Sequence, residues 1–209
     1  MILRNDNDGF GKLVHEHLSQ YLDMDVGHYI KGLSVLVFGG AVRDALAGEN
    51  INDIDIVGTQ AGCGEINYKL QMQGYKKNKE FGRAIEPRTD GEKQYVNQYN
   101  LFYMVEMIKG EKQVHLMVPK EDFYKQVGLK FPDEQELCAL MFASNVDLTN
   151  CAVAYNMHNG FISFLDCAVG NCLTKEFFGV KSAKLRHEEN IQLRTDKFIS
   201  RGWTYKGML

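Results

Sequence analysis

Apolar positions along this chain repeat at two spacings, one helical and one extended. Between Gly9 and Ile30, Leu13, Val14, His17, Leu18 and Tyr21 fall three and four residues apart, which predicts an amphipathic helix. The run Leu33 to Phe38 is dense in β-forming residues and stops at Gly39-Gly40. AVRDALAG follows, helical in composition and closing on Gly48, so the pattern is strand, glycine turn, helix. Ile51, Ile54 and Ile56 are then interleaved with Asp53 and Asp55, and the end of this segment reads as a strand with an apolar and an acidic face. Residues 62–75 read as a second helix, with Ile66, Leu70 and Met72 available to pack.

From Phe81 to Tyr99 the chain turns polar, and residues 82–99 fit either a loop over a site or a plain surface excursion. Leu101 to Ile108 and Gln113 to Val118 read as two strands joined by a turn at Lys109-Gly110-Glu111-Lys112. Residues 133–144 place Leu137, Leu140 and Met141 at helical spacing behind an acidic start. CAVAY at 151–155 is compatible with helix or strand, FISFLD at 161–166 with a short strand, and residues 183–201 with a charged helix. Strands and helices therefore mix in the manner of an α+β chain, with a mixed or antiparallel sheet flanked by helices. The expected division falls after residue 130, between residues 1–130 with the N-terminal helix and residues 131–209 with the C-terminal helical segment. No repeat or low-complexity tract interrupts the 209 residues, and three prolines mark no linker.

Composition narrows the class. With 44% apolar and 11% aromatic residues the chain can bury a core and is not disordered. No run approaches the roughly 18–20 apolar residues of a membrane helix, and the start MILRNDNDGF has no apolar leader core; the expected setting is cytoplasmic. Five cysteines (63, 138, 151, 167, 172) form no Cys-x-x-Cys pair and read as reduced core thiols. His15 and His17 lack the spacing of a zinc-protease helix. The net charge of −3 is unevenly spread: from Lys175 onward eight basic residues face four acidic ones, a surplus of +4, which leaves −7 on residues 1–174. The C-terminal part can face phosphates or simply be a solvated helix.

The chemistry concentrates in two short stretches. Alternate strand residues point to one face, so Asp53 and Asp55 project two carboxylates together, about 7 Å apart along the chain. Like charges at that distance repel unless a cation lies between them, and hard oxygen ligands suit Mg²⁺ or Mn²⁺. At Gly39-Gly40 the backbone can approach an anion unobstructed, ahead of a helix whose positive end favours phosphate. The order of these pieces suggests a metal–triphosphate site.

LVFGGAVRDALAGENINDIDIVGT resembles the head-domain motif of class II CCA-adding enzymes and bacterial poly(A) polymerases, of the DNA polymerase β nucleotidyltransferase superfamily. The resemblance continues through VDLTNCAVAYN and FISFLDCAVG at Asp147, Thr149, Ala152, Ala154, Tyr155, Asn156, Asp166 and Gly170, and then to Glu188-Glu189-Asn190-Ile191-Gln192, where that family begins its neck helix. It implies a polymerase-β-type head with a short helical neck. The implied reaction moves a nucleoside monophosphate from a triphosphate to the hydroxyl of an RNA end, tRNA-like or otherwise, or of a protein or small molecule, and releases pyrophosphate. Asp53 and Asp55 would hold Mg²⁺ or Mn²⁺; Gly39, Gly40 and Arg43 would grip the triphosphate, with Asp44 touching it or orienting Arg43; Asp147 would approach the ribose; Glu189 and Gln192 would face the base.

Several positions depart from that family. Asn145 and Val146 stand where it has paired arginines, Cys151 where it has asparagine, and Gln192 where it has arginine. His115 occupies the hairpin position of a third carboxylate, as a core or edge histidine, a metal ligand or a general base, with Glu106 on the paired strand in reserve. The resemblance spans about residues 33–203, and with six residues after it in this sequence the expectation is that the tRNA-holding body and tail of that family have no counterpart here. Two other classes fit the same residues: a nucleotide-binding scaffold without catalysis, and an RNA-binding module.

Overall fold

The computed structural model describes residues 3–6, 9–25, 35–82, 101–120, 146–157, 160, 162–165 and 167–209. The helix expected at 133–144, Asp166 and nearly all of the polar stretch 82–99 lie outside the described residues, as do the side chains of 181–190, Glu189 among them.

In chain order, the described elements begin with β1 (Leu3–Asp6), α1 (Phe10–Leu22), β2 (Val35–Phe38), α2 (Gly40–Leu46), β3 (Asp53–Gly58), α3 (Gln60–Met72) and β4 (Lys76–Gly82). Then come β5 (Leu101–Lys109), β6 (Lys112–Pro119), a 3₁₀ turn (Thr149–Cys151), β7 (Val153–Asn156), β8 (Ile162–Leu165), α4 (Ala168–Thr174), β9 (Glu176–Gly179), α5 (Lys181–Ser200) and β10 (Thr204–Met208). The described strands β1 to β8 make one mixed sheet in the order β1-β8-β7-β2-β3-β6-β5-β4, and β9 and β10 pair separately. All pairs in the large sheet are antiparallel except β3 with β6. The α+β class and the mixed sheet thus match the reading of the sequence.

Helix α1 is shorter than its pattern promised. It ends at Leu22, where Asp23 takes a left-handed backbone (φ 56°). The hairpin is as expected, with Gly110 supplying positive φ at its turn. The ambiguous segment 151–155 divides into the end of a 3₁₀ turn and a strand whose residues are all buried.

The core is built on the sheet. Ile54, Ile56, Val35, Val37 and Val114 are fully buried in it, with Ile66 and Leu70 of α3 and Val14, Leu18 and Leu22 of α1. Burying such aliphatic side chains contributes about 1.5–3 kcal/mol each. One close approach fixes α1: a Cβ on Gly11 would overlap the backbone carbonyl oxygen of Gly160. Gly11→Ala is therefore expected to cost about 1–3 kcal/mol despite alanine's better helix propensity, read as a lowered melting temperature.

The end of the chain folds back onto α2. Phe198 of α5 packs on Phe177 (5.5 Å between ring centroids) and on Trp203 (5.5 Å), and the Arg43 guanidinium lies 4.6 Å above the Phe198 ring. Arg201 bonds Asp44 Oδ1 at 3.2 Å and also Glu49, whose other oxygen accepts from Trp203 Nε1 at 3.2 Å and pairs with Lys175 at 3.1 Å. Residues 44–49 and 201–203 are thereby tied through the buried Asp44 and the partly exposed Glu49 and Arg201.

Candidate active site

The site begins with register. Strand β3 alternates buried Ile54 and Ile56 with the more exposed Asp53 and Asp55, as the isoleucine–aspartate pattern requires. Parallel pairing with β6 sets Asp55 opposite His115, and antiparallel pairing of β5 with β6 sets Glu106 opposite the same histidine. Three polar side chains from three adjacent strands thus form a row across the sheet.

Within that row His115 Nδ1 lies 2.8 Å from Asp55 Oδ1, and Nε2 lies 3.1 Å from Gln113 Nε2 and 3.8 Å from Glu106 Oε1. One ligand atom each from Asp53, Asp55 and His115 falls within 4.8 Å of the other two. Glu106 is nearly buried and is held by Asn78 Nδ2 at 2.8 Å and by the Gln113 amide, while Lys79 approaches to 3.7 Å. From α1, the Tyr21 hydroxyl donates to the Asn52 carbonyl at 2.7 Å and accepts from the Gln113 N–H at 2.8 Å, which pins the starts of β3 and β6 together.

Charge in the row is balanced against burial. Surrounding protein and then the neighbouring Asp55 carboxylate push the Asp53 pKa up, offset in part by His115, Lys197 and Arg43. For His115, desolvation works against the charged ring, but the hydrogen bond and charge of Asp55, with Asp53 and Glu106, outweigh it and raise the pKa. The row of side chains favours added positive charge.

On the neighbouring strand, Gly39 adopts φ 69°, a left-handed conformation that suits glycine, and its N–H donates to the Val153 carbonyl at 2.9 Å. Helix α2 has seven residues. Arg43 and Asp44 are both buried and joined Nε to Oδ1 at 2.7 Å, so Asp44 orients Arg43. The Arg43 guanidinium lies under the turn, where a Cβ on Gly40 would sit 3.6 Å from one of its nitrogens.

The sugar and base candidates are more scattered. Asp147 is buried and accepts from Arg194 of α5, whose second terminal nitrogen lies 3.1 Å from Cys151 Sγ; Arg43 reaches the same sulfur at 3.5 Å. Gln192 is exposed and bonds Asp196 at 2.9 Å, one helical turn on. Arg194 had no motif position to mark it. Its only signal was the basic surplus of the C-terminal segment.

An Asp-x-Asp strand thus lies beside a glycine turn, and a parallel hairpin strand brings His115 to Asp55. Solved structures that share this fold include CCA-adding and tRNA-processing enzymes. A CCA-adding enzyme in complex with CTP aligns over 99% of this chain and 44% of its own, with a TM-score of 0.62 and 16% identity. The Thermotoga maritima CCA-adding enzyme complexed with tRNA aligns over 99% and 43%, with a TM-score of 0.58 and 18% identity. An apo tRNA-processing enzyme aligns over 96% and 45%, with a TM-score of 0.52 and 14% identity. The chain spans less than half the length of each. No protein-family model and no curated protein sequence matches it. Among the described residues no helix is long and apolar enough to cross a membrane.

Proposed function

We propose that this chain is a metal-dependent nucleotidyltransferase that moves a nucleoside monophosphate from a nucleoside triphosphate to a hydroxyl at an RNA end, in the cytoplasm. The observation that carries this reading is the convergence of Asp53, Asp55 and His115 within 4.8 Å, on the fold of enzymes solved with CTP, ATP and tRNA. The two carboxylates are hard oxygen donors that suit Mg²⁺ or Mn²⁺, and the imidazole beside them is a donor for transition ions. When bound, such ions supply a lowered pKa at the attacking hydroxyl and neutralise the leaving pyrophosphate.

In this reading the acceptor oxygen bonds to the α-phosphorus as its bond to the β-phosphate oxygen breaks, and the hydroxyl proton passes to a nearby base or to solvent. Asp53 and Asp55 hold the positive charge that this requires. Gly39 and Gly40 leave room for phosphate oxygens, and Arg43 lends its charge from beneath the turn, fixed there by Asp44 and Phe198. Asp147 approaches the ribose, with Arg194 reaching it from the neck. Glu189 and Gln192 meet the base. The surplus of +4 beyond residue 174 favours an RNA end as acceptor.

The test is incubation of the chain with bulk RNA, each of the four labelled triphosphates in turn, and Mg²⁺ or Mn²⁺, with pyrophosphate release measured and the modified acceptor identified by mass spectrometry. Release coupled to labelled RNA is expected. Nucleotide binding without any pyrophosphate would reduce the chain to a binding scaffold, and a labelled protein or small molecule would move the acceptor.

A further inference from the structure

The family that this fold resembles presents a carboxylate where this chain presents His115, and the surroundings of His115 are arranged for a nitrogen ligand. An ion of Mn²⁺ or Mg²⁺ size sits about 2.1 Å from its ligands, which puts neighbouring ligand atoms about 3 Å apart and opposite ones about 4.2 Å apart. The 2.8 Å from His115 Nδ1 to Asp55 Oδ1 already has the first spacing, and a small contraction of the 4.8 Å group gives the second. Nδ1 faces the carboxylates. The other ring nitrogen lies 3.1 Å from Gln113 Nε2, and this amide bonds Glu106, a buried acid 3.8 Å from the ring that Asn78 also holds, so the acid reaches the ring through Gln113. A histidine with a carboxylate behind it is the usual support of a metal-bound imidazole, since the outer acid fixes the ring and raises the basicity of the ligating nitrogen.

We propose that His115 is a nitrogen ligand, and that it makes this a two-carboxylate, one-imidazole site that takes a first-row transition ion in preference to Mg²⁺, with Glu106 as its outer carboxylate. The chemistry discriminates as follows. Mg²⁺ sheds water reluctantly and favours an all-oxygen octahedron, whereas imidazole nitrogen suits the transition ions and binds them more tightly along the first row. Mn²⁺, the weakest nitrogen binder of that row, is the most stringent probe. The inference rests on the reading of Asp53 and Asp55 as metal carboxylates, and not on the transfer reaction.

The experiment uses the full chain without nucleotide and Mn²⁺ as the probe. Pulsed electron paramagnetic resonance of bound Mn²⁺ is expected to show nitrogen-14 modulation from a coordinated imidazole, and Mg²⁺ is expected to displace the ion poorly. In His115→Asp the modulation should vanish and Mg²⁺ should compete at lower concentration. Glu106→Gln should keep the modulation while weakening Mn²⁺ binding about tenfold. Bound Mn²⁺ without nitrogen modulation in the unaltered protein, equal displacement by Mg²⁺, or no Mn²⁺ binding overturns the proposal without reference to any variant. Transfer in Mg²⁺ by a protein without nitrogen modulation would leave the transferase reading standing and remove this one. Nitrogen modulation in a protein that releases no pyrophosphate would do the reverse.

Discussion

Replacing Asp53 and Asp55 together with alanine is expected to lower nucleotidyl transfer by roughly 10³-fold or more, the scale on which phosphoryl transfer responds to loss of a positioned charge. The same change should leave the fold intact, because the buried face of β3 is carried by Ile54 and Ile56. Asp53→Asn separates the two effects more cleanly. The pKa of Asp53 is raised in the folded chain, so its ionisation costs stability as pH rises above the ordinary value of 3.8. At neutral pH and without metal, the amide should therefore melt no lower than the unaltered protein while transfer falls. Pyrophosphate release in Mg²⁺ or Mn²⁺ and thermal melting in chelator, on aliquots of the same samples, check both halves. Transfer that survives the double alanine change would sink the assignment.

The second large effect falls on stability. Asp44→Ala leaves the guanidinium of Arg43 buried without its partner at 2.7 Å, the two side chains being only 8% and 3% exposed. Breaking a buried pair by removing one member costs about 3–5 kcal/mol. For a chain of this size each kcal/mol lowers the melting temperature by roughly 2–4 °C, so a fall on the order of 10 °C is expected. Arg43→Met combined with Asp44→Ala should recover much of that loss, since an apolar side chain of similar length can occupy the space over Phe198 without an unpaired charge. Denaturant unfolding of the two single variants and the double closes the cycle. An Asp44→Ala melt within a degree or two of the unaltered protein would contradict the buried-pair argument. Acid should weaken the same region. Burial opposes the ionisation of Glu49, but the Lys175 hydrogen bond and the Arg201 charge prevail and hold its pKa below 4.5. Its contribution is present above pH 4.5 and fades as pH falls through the lowered value.

Both effects also show what a linear reading reaches. The Asp-x-Asp strand, the glycine turn and the hairpin were legible because each is a local pattern whose period or turn chemistry stands out within ten residues. The strands β1, β4, β9 and β10 were not. Strand β4 reads KKNKEFG, with no apolar alternation, because among the described residues it lies at a sheet edge, where lysines discourage further pairing. Strand β1 lies at the other edge. The short pair β9 and β10 depends on contacts between segments nearly thirty residues apart.

For the candidate site the division is sharper. By itself the sequence determined which carboxylates share a face, since side chains alternate along any strand whatever its neighbours. It also determined that a glycine turn precedes them, and that a charged helix lies near the end of the sequence. Only the tertiary structure decided what those groups meet. Parallel pairing of β3 with β6 brings His115 to Asp55 across sixty residues, and the next strand sets Glu106 behind it. Packing of the terminal segment on α2 joins Arg201 to Asp44 and Glu49, and α5 delivers Arg194 to Asp147. Such contacts are set by strand register and helix docking, which depend on the whole core at once and leave no periodic trace in the residues that make them.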